Sequence, residues 1–287
     1  MDKSTTHKVS TKIGDSLFEW GKRTYVMGII NATPDSFSGD GSGSDIDAAL
    51  GRTLLFEKWG ADIVDIGGES TRPREIYENS EPISADAELS RVIPIIQAIK
   101  RETSIPISID TYKAKVAKEA ITAGACLIND VWGFQKDPAI VRIASESNVP
   151  VILMHNQTHS NYHDLVTNVI SKLAWLKDNA ISGGVARNNI ILDPGMGFGK
   201  TMEHNLVLLR RLEELSVLES PILVGMSRKS TIGYVLDLPV NDRIEGTAAT
   251  VALSIAKGAD LVRVHDVKEM VRVARMSDAI VRGQDQE

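Results

Sequence analysis

Sulfur chemistry is almost absent from this 287-residue chain. Cys126 is its only cysteine, so no internal disulfide can form, and a reducing compartment, the cytoplasm, is the expected home. Charge of one sign is not in excess either: 32 Lys and Arg face 38 Asp and Glu, for a net charge of −6. The basic residues are scattered rather than striped, so nothing here reads as a nucleic-acid footprint. No apolar run is long enough to span a bilayer, and the opening MDKSTTHKVSTKIGD lacks the apolar centre of a secretory leader, so no membrane partner is expected. No Gly-rich dinucleotide turn follows the first apolar run. DPGMGFGKT fails as a nucleotide phosphate loop, because Pro194 stands where the first glycine is required.

What the chain does have is 43% hydrophobic residues, enough for a large core without cross-links. Short β-branched or aliphatic runs recur at 25–30 (YVMGII), 62–66 (DIVDI), 105–109 (IPISI), 126–128 (CLI), 150–154 (PVILM), 189–192 (NIIL), 221–225 (PILVG) and 260–264 (DLVRV). Between them lies helical spacing. Over 84–101, Ser84 is placed to cap a helix whose apolar face carries Leu89, Val92, Ile93, Ile96 and Ile99. Over 111–124, Thr111 is the expected cap and Gly124 the stop. Further helices are expected over 45–59, 163–182, 203–215, 243–257 and 267–282. Strand then helix, eight times over, is the arithmetic of a (β/α)8 TIM barrel, with a doubly wound sheet as runner-up. Residues 7–18 are expected to form an N-terminal hairpin closing the barrel floor, and 1–287 a single domain with its core about 25–282.

Barrel chemistry gathers where strands end. Here the apolar runs end on Asn31, the GGESTRP loop, Asp110, Asn129 with Asp130, His155, Asp193, the MSRKS segment, and Arg263 with His265. Any one of these is as readily a turn former or cap; eight in succession suggest a site. Acids and an Asn deep in a barrel suit a donor-rich heterocycle. Lys229, Arg228, Arg263, His265 and Arg72 suit an anion, most simply a phosphate. His155, His159 and His163 fall at i, i+4 and i+8, but the polar residues between them make a poor helix and no acid completes a metal motif, so they read as a solvated loop.

At these positions GIINATPDSF, GADIVDIGGESTRP, ISIDT, INDV, LDPGMGFGKT, SRKS and RVHDV, in order over roughly 25–270, resemble the dihydropteroate synthase family of pterin-binding barrels. The resemblance implies a transferase of folate biosynthesis. It joins 6-hydroxymethyl-7,8-dihydropterin pyrophosphate to p-aminobenzoate, giving 7,8-dihydropteroate and pyrophosphate. It further implies that Asp110, Asn129, Val131, Met154, Asp193, Phe198, Lys229 and Arg263 hold the pterin. Asn31, Thr71, Arg263 and His265 would hold the pyrophosphate, with Asn31 as protein ligand of a Mg2+ ion. Thr71, Arg72, Pro73, Phe198, Lys229 and Ser230 would hold p-aminobenzoate, with Asp35 and Phe37 as lid parts. Asp110, Lys229 and Asn31 would act in catalysis, sulfonamides would compete at the p-aminobenzoate slot, and the protein would be a homodimer.

One departure stands out: FSGDG puts Gly39 where the family carries an acid, and Asp40 one place late. Two other readings stay open at this stage. A corrinoid-linked methyltransferase shares the Asp and Asn ring readers but lacks NATPDSF and SRKS. A catalytically silent pterin-binding relative would suit the altered loop. The DPGMGFGKT glycines are expected to let backbone approach the ring closely.

Overall fold

The computed structural model describes residues 10–32, 43–69 and 82–283. Asp35 and Phe37 of the expected lid, and Thr71, Arg72 and Pro73 of the GGESTRP loop, lie outside the described residues, as does the shifted Asp40. The chain opens with an antiparallel hairpin, β1 (Thr11–Ile13) and β2 (Ser16–Phe18). Strands and helices then alternate: β3 (Tyr25–Asn31), α1 (Gly43–Trp59), β4 (Ile63–Gly67), α2 (Ala85–Glu102), β5 (Ile107–Asp110), α3 (Ala114–Ala123) and β6 (Leu127–Asp130). There follow α4 (Ala139–Ser147), β7 (Val151–Met154), α5 (Leu165–Ser182), β8 (Ile190–Asp193) and α6 (Met202–Arg210). Last come β9 (Leu223–Val224), α7 (Ser230–Leu236), α8 (Ile244–Ala256), β10 (Leu261–Val264) and α9 (Val267–Val281).

The strands β3 to β10 pair in parallel in the order β8-β7-β6-β5-β4-β3-β10-β9. The sheet curls until its ends meet through one parallel bridge between Leu192 and Ile222, with Leu192 N–H donating to the Pro221 carbonyl at 2.9 Å. That is the expected TIM barrel. No helix among the described residues is long and apolar enough to cross a membrane.

Strand side chains alternate between faces, so each strand divides its residues between the barrel interior and the helix layer. Val64, Ile66, Ile107, Ile109 and Leu153 pack outward against the helices in the main apolar core. The inward set forms a separate cluster: Met27, Ile63, Leu127, Ile152, Ile191, Leu223 and Leu261 meet Ile13, Phe18 and Trp20 from the N-terminal segment. The hairpin thus closes the floor, as expected. Trp20 Nε1 donates to Thr11 Oγ1 at 2.7 Å, and the Phe18 ring lies 4.5 Å from that of Tyr25. With the bottom layer apolar, the next inward residue up each strand is free to be polar and faces the mouth.

The helices depart from expectation in three places. The expected cap Thr111 accepts from Lys113 N–H at 3.2 Å, and α3 starts later, its Ala114 N–H satisfied at 2.8 Å by Asp137 Oδ2 from the next loop. The 203–215 helix stops at Arg210 and continues as a 3-10 stretch over Leu212–Leu218. The short helix α4 was not anticipated. Ser84 does cap α2, accepting from Ala87 N–H at 3.1 Å, and Gly124 ends α3 at φ 126°.

Phe18→Ala should lower stability by about 3–5 kcal/mol, read from the urea midpoint at constant slope, because the floor cannot collapse around the void. A loss below about 1 kcal/mol would mean the hairpin does not seal the barrel.

Candidate active site

The parallel register decides which strand-end groups converge. Asp110 pairs across from Asn129, Met154 from Asp193, and Asp65 from both Ile29 and Ser108. Each of these points to the interior by the period-2 rule. A cavity at the carboxyl ends of the strands is lined by Asp110, Asn129, Val131, Met154, Asp193, Phe198, Lys229, Arg263 and His265, all anticipated, together with Ile29, Gly225 and Ser227. Asn31 ends β3 half-buried and Ser230 opens α7, and neither lines this cavity. Asp130, one residue out of phase with Asn129, turns away. Its carboxylate accepts from Trp132 N–H at 2.8 Å and Phe134 N–H at 2.7 Å, the work of a turn former. Arg228 is likewise engaged elsewhere, in a two-point pair with Asp266.

Arg263 organises the floor of the cavity. Its Nε donates to Asp65 Oδ2 at 2.6 Å and its Nη2 to Asp110 Oδ2 at 2.9 Å. Asp65 Oδ2 also receives Asn129 Nδ2 at 3.0 Å, which engages one of the amide's two N–H groups and orients its carbonyl oxygen as an acceptor for a ligand. One guanidinium faces two buried carboxylates, so the cluster carries an excess negative charge. Burial first, and the neighbouring Asp65 charge, push the Asp110 carboxyl up to about 8 against the opposing pull of Arg263. The second oxygens of Asp65 and Asp110 are buried without a hydrogen-bond partner. Such atoms are costly unless a ligand donates to them.

On the opposite wall Asp193 Oδ1 accepts from Gly195 N–H at 2.7 Å. Burial raises the Asp193 carboxyl, while the charge of Lys229 works to lower it. Burial depresses Lys229 to about 8, with Asp193 opposing. Lys229 donates to the Met196 carbonyl, and its ammonium stands 4.9 Å from the Phe198 ring centroid, a cation over an aromatic face. Ser227 Oγ accepts from His265 N–H at 3.1 Å and lies 3.1 Å from His265 Nδ1, which sets the imidazole at the rim. The assembled wall of carboxylates and an amide oxygen can accept several N–H bonds from a flat ring. The cations and His265 beside it suit an attached anion.

Two expectations need correction here. His155 is not part of a solvated loop: it is buried, while His159 and His163 are exposed. The DPGMGFGKT glycines do permit a close approach, but to protein. A Cβ at Gly195 would stand 1.9 Å from the His155 carbonyl oxygen and one at Gly199 2.4 Å from that of Gln157, and all three glycines of the segment have positive φ. Two residues escaped sequence reading altogether. Asp65 lies inside a strand, not at its end, and only its inward phase with Ile63 marks it. Lys200 looked like part of a failed phosphate loop.

Residues 27–265 match the family model described as pterin binding enzyme. A dihydropteroate synthase of Clostridium beijerinckii is 53% identical over 272 residues, covering 94% of this chain and 99% of that protein. The fold superposes with a TM-score of 0.89 on a dihydropteroate synthase from Clostridium difficile solved in the presence of pteroic acid, at 48% identity over 92% of this chain and 99% of that one. The Yersinia pestis dihydropteroate synthase in a sulfonamide drug complex gives a TM-score of 0.87 at 37% identity, covering 96% and 100%.

Asp65→Asn removes one of the two negative charges that face Arg263. The Asp110 carboxyl should then titrate below its value of about 8, because the repulsion from Asp65 is gone. Carboxyl carbon shifts in aspartate-labelled protein would read this, and an unmoved Asp110 would mean the three groups are not electrostatically joined.

Proposed function

The chain belongs to the pterin-binding enzyme family and, within it, to the dihydropteroate synthases, and from that premise we propose how its residues divide the work of joining a dihydropterin pyrophosphate to p-aminobenzoate. The observation that supports the assignment most is the convergence of Asp110, Asn129, Asp193, Lys229 and Arg263 on one cavity. Asp193, Asp110 and the Asn129 carbonyl oxygen accept the N–H groups of the pterin edge. An analogue lacking one of those donors leaves a buried acceptor unpaired, which is how such a site discriminates. Val131 and Met154 flank the ring, Lys229 donates to it and Arg263 stacks on its face.

The pyrophosphate lies toward Asn31, Arg263 and His265. Mg2+ fits this end of the site. Among the described residues the protein ligand on offer is the Asn31 amide oxygen, and no group of three His, Cys, Asp or Glu residues that could hold an ion is found there. That donor set suits a cation bound mainly by phosphate oxygens and water. When bound, the ion offsets charge on the departing pyrophosphate. The methylene C–O bond breaks with its electron pair leaving on pyrophosphate, and the ring and the ionised Asp110 stabilise the cationic carbon. The p-aminobenzoate nitrogen then forms the new bond and gives up a proton to solvent. Phe198 and the Lys229 stem hold its benzene ring, and Ser230 meets its carboxylate. Sulfonamides occupy the same slot. The working form is a cytoplasmic homodimer paired through α8 and α9, where Leu253, Met276 and Ile280 are exposed, with no nucleic-acid or membrane partner.

Purified protein given dihydropterin pyrophosphate, Mg2+ and labelled p-aminobenzoate should put the label into a pterin product, and lose that ability without the metal. Retained pterin binding with no product would contradict the reading. The pH profile of kcat/KM for the pterin substrate reports free-enzyme groups. Asp110 carries the negative charge that stabilises the cationic carbon only above about 8, and Lys229 is an ammonium only below about 8. The two limbs therefore meet, and the profile should be a narrow bell peaking near pH 8. A plateau from about pH 6 to about pH 9 would rule out this pair.

A further inference from the structure

The segment from Gly195 to Gly199 carries Phe198 into the cavity, and a single buried lysine that does not line that cavity holds the segment from behind. Lys200 Nζ lies 3.0 Å from the Gly195 carbonyl oxygen, 3.0 Å from that of Phe198 and 2.9 Å from His155 Nδ1. An ammonium has three protons and meets three acceptors here, the condition under which burying it is tolerable. His155 can serve as an acceptor because it is neutral: burial first, and the Lys200 charge, bring it down to about 3. Burial also lowers Lys200 to about 7, with Asp193 opposing.

The same segment is gripped on its other sides. The Tyr162 hydroxyl donates to the Gly199 carbonyl at 2.7 Å, and Asn205 Oδ1 accepts from Gly197 N–H at 2.8 Å. Asn205 Nδ2 in turn donates to Thr231 Oγ1 on α7 at 2.9 Å. From the cavity side, Lys229 takes the Met196 carbonyl, and a Cβ at Gly197 would sit 3.2 Å from Lys229 Cδ. Two lysines thus read one short backbone from opposite faces. Lys229 touches the reacting partners, whereas Lys200 reaches only the carbonyls that decide where Phe198 stands and His155.

We propose that Lys200, seated on His155, is a positioning residue for the p-aminobenzoate slot. By fixing the carbonyls of Gly195 and Phe198 it holds the Phe198 ring and the Lys229 stem at the spacing of a benzene ring. The proposal rests on the functional reading above. It separates the two substrates: of the pterin readers Asp110, Asn129 and Asp193, only Asp193 touches the segment, through Gly195 N–H at 2.7 Å, so losing Lys200 should damage p-aminobenzoate binding more than pterin binding.

The test compares Lys200→Met, His155→Leu and His155→Gln with the wild type, using KM for p-aminobenzoate and the Kd for dihydropterin pyrophosphate measured by titration calorimetry. Lys200→Met removes all three donors at similar length. His155→Leu removes an acceptor and strands the ammonium, while His155→Gln restores an amide oxygen. The expected result is a rise in KM for p-aminobenzoate of about tenfold or more, equivalent to about 1.4 kcal/mol, in Lys200→Met and His155→Leu. Pterin Kd should stay within about threefold of wild type in both, and His155→Gln should stay close to wild type for both substrates. A merely structural lysine would lower the melting temperature and leave KM per folded molecule unchanged, which would overturn the proposal. If Lys200→Met does not fold, the two His155 variants decide the matter, and equal damage in both would overturn it as well. Wild-type protein that makes no product would refute the functional reading instead, so the two failures are distinguishable.

Discussion

One positive charge reaching across the barrel interior holds the site together. Arg263 rises from β10 and meets Asp65 on β4 and Asp110 on β5, strands that are not its neighbours in the sheet. Its removal would leave two carboxylates buried without their counter-charge, the kind of loss that costs about 3–5 kcal/mol. Its presence does more than balance charge. It uses one oxygen of each acid, and the remaining oxygen of Asp110, which lines the cavity, is buried and unpartnered and stands ready for an N–H group of a ring. Through Asp65 it also dictates which end of the Asn129 amide a ligand meets.

That arrangement depends on a dry floor. The inward apolar cluster, sealed by Phe18 and Trp20, keeps water from reaching the ion pairs from below. Burial then shifts the site's titrations in opposite senses: Asp110 rises and Lys229 falls, both to about 8. Strongly shifted groups of this kind gather at functional sites. The segment after β8 completes the slot, its glycines adopting backbone angles that allow contact with the His155–His159 stretch on one side and Lys229 on the other.

Much of this was legible in the residues themselves. Strand-end positions such as Asn129, Asp193 and His265 were readable because an apolar run that ends on a polar side chain marks the rim of a barrel. The eight apolar runs indicated the architecture. What escaped was whatever depends on phase or on distant neighbours. Asp130 and Asn129 are adjacent in sequence, yet alternation sends one to a turn and the other to the site. Asp65 sits inside a strand, where apolar neighbours conceal it. Lys200 and His155 lie 45 positions apart, and neither residue type alone hints that the other is its partner. The helix α4, of 9 residues, is too short for a clear helical stripe. Thr111 had the chemistry of a cap, but Asp137, from a loop outside the helix, satisfies the N–H instead.

The central claim is that the ring is read by the layer Arg263 organises. The measurement that tests it most directly is a crystal structure of this protein soaked with dihydropterin pyrophosphate. The account predicts the pterin edge within hydrogen-bonding distance of Asp193, Asp110 and the Asn129 carbonyl oxygen, with the Arg263 guanidinium stacked on the ring and still joined to Asp65. A ring bound elsewhere, or bound in this cavity with the second oxygen of Asp110 still unpartnered, would contradict it.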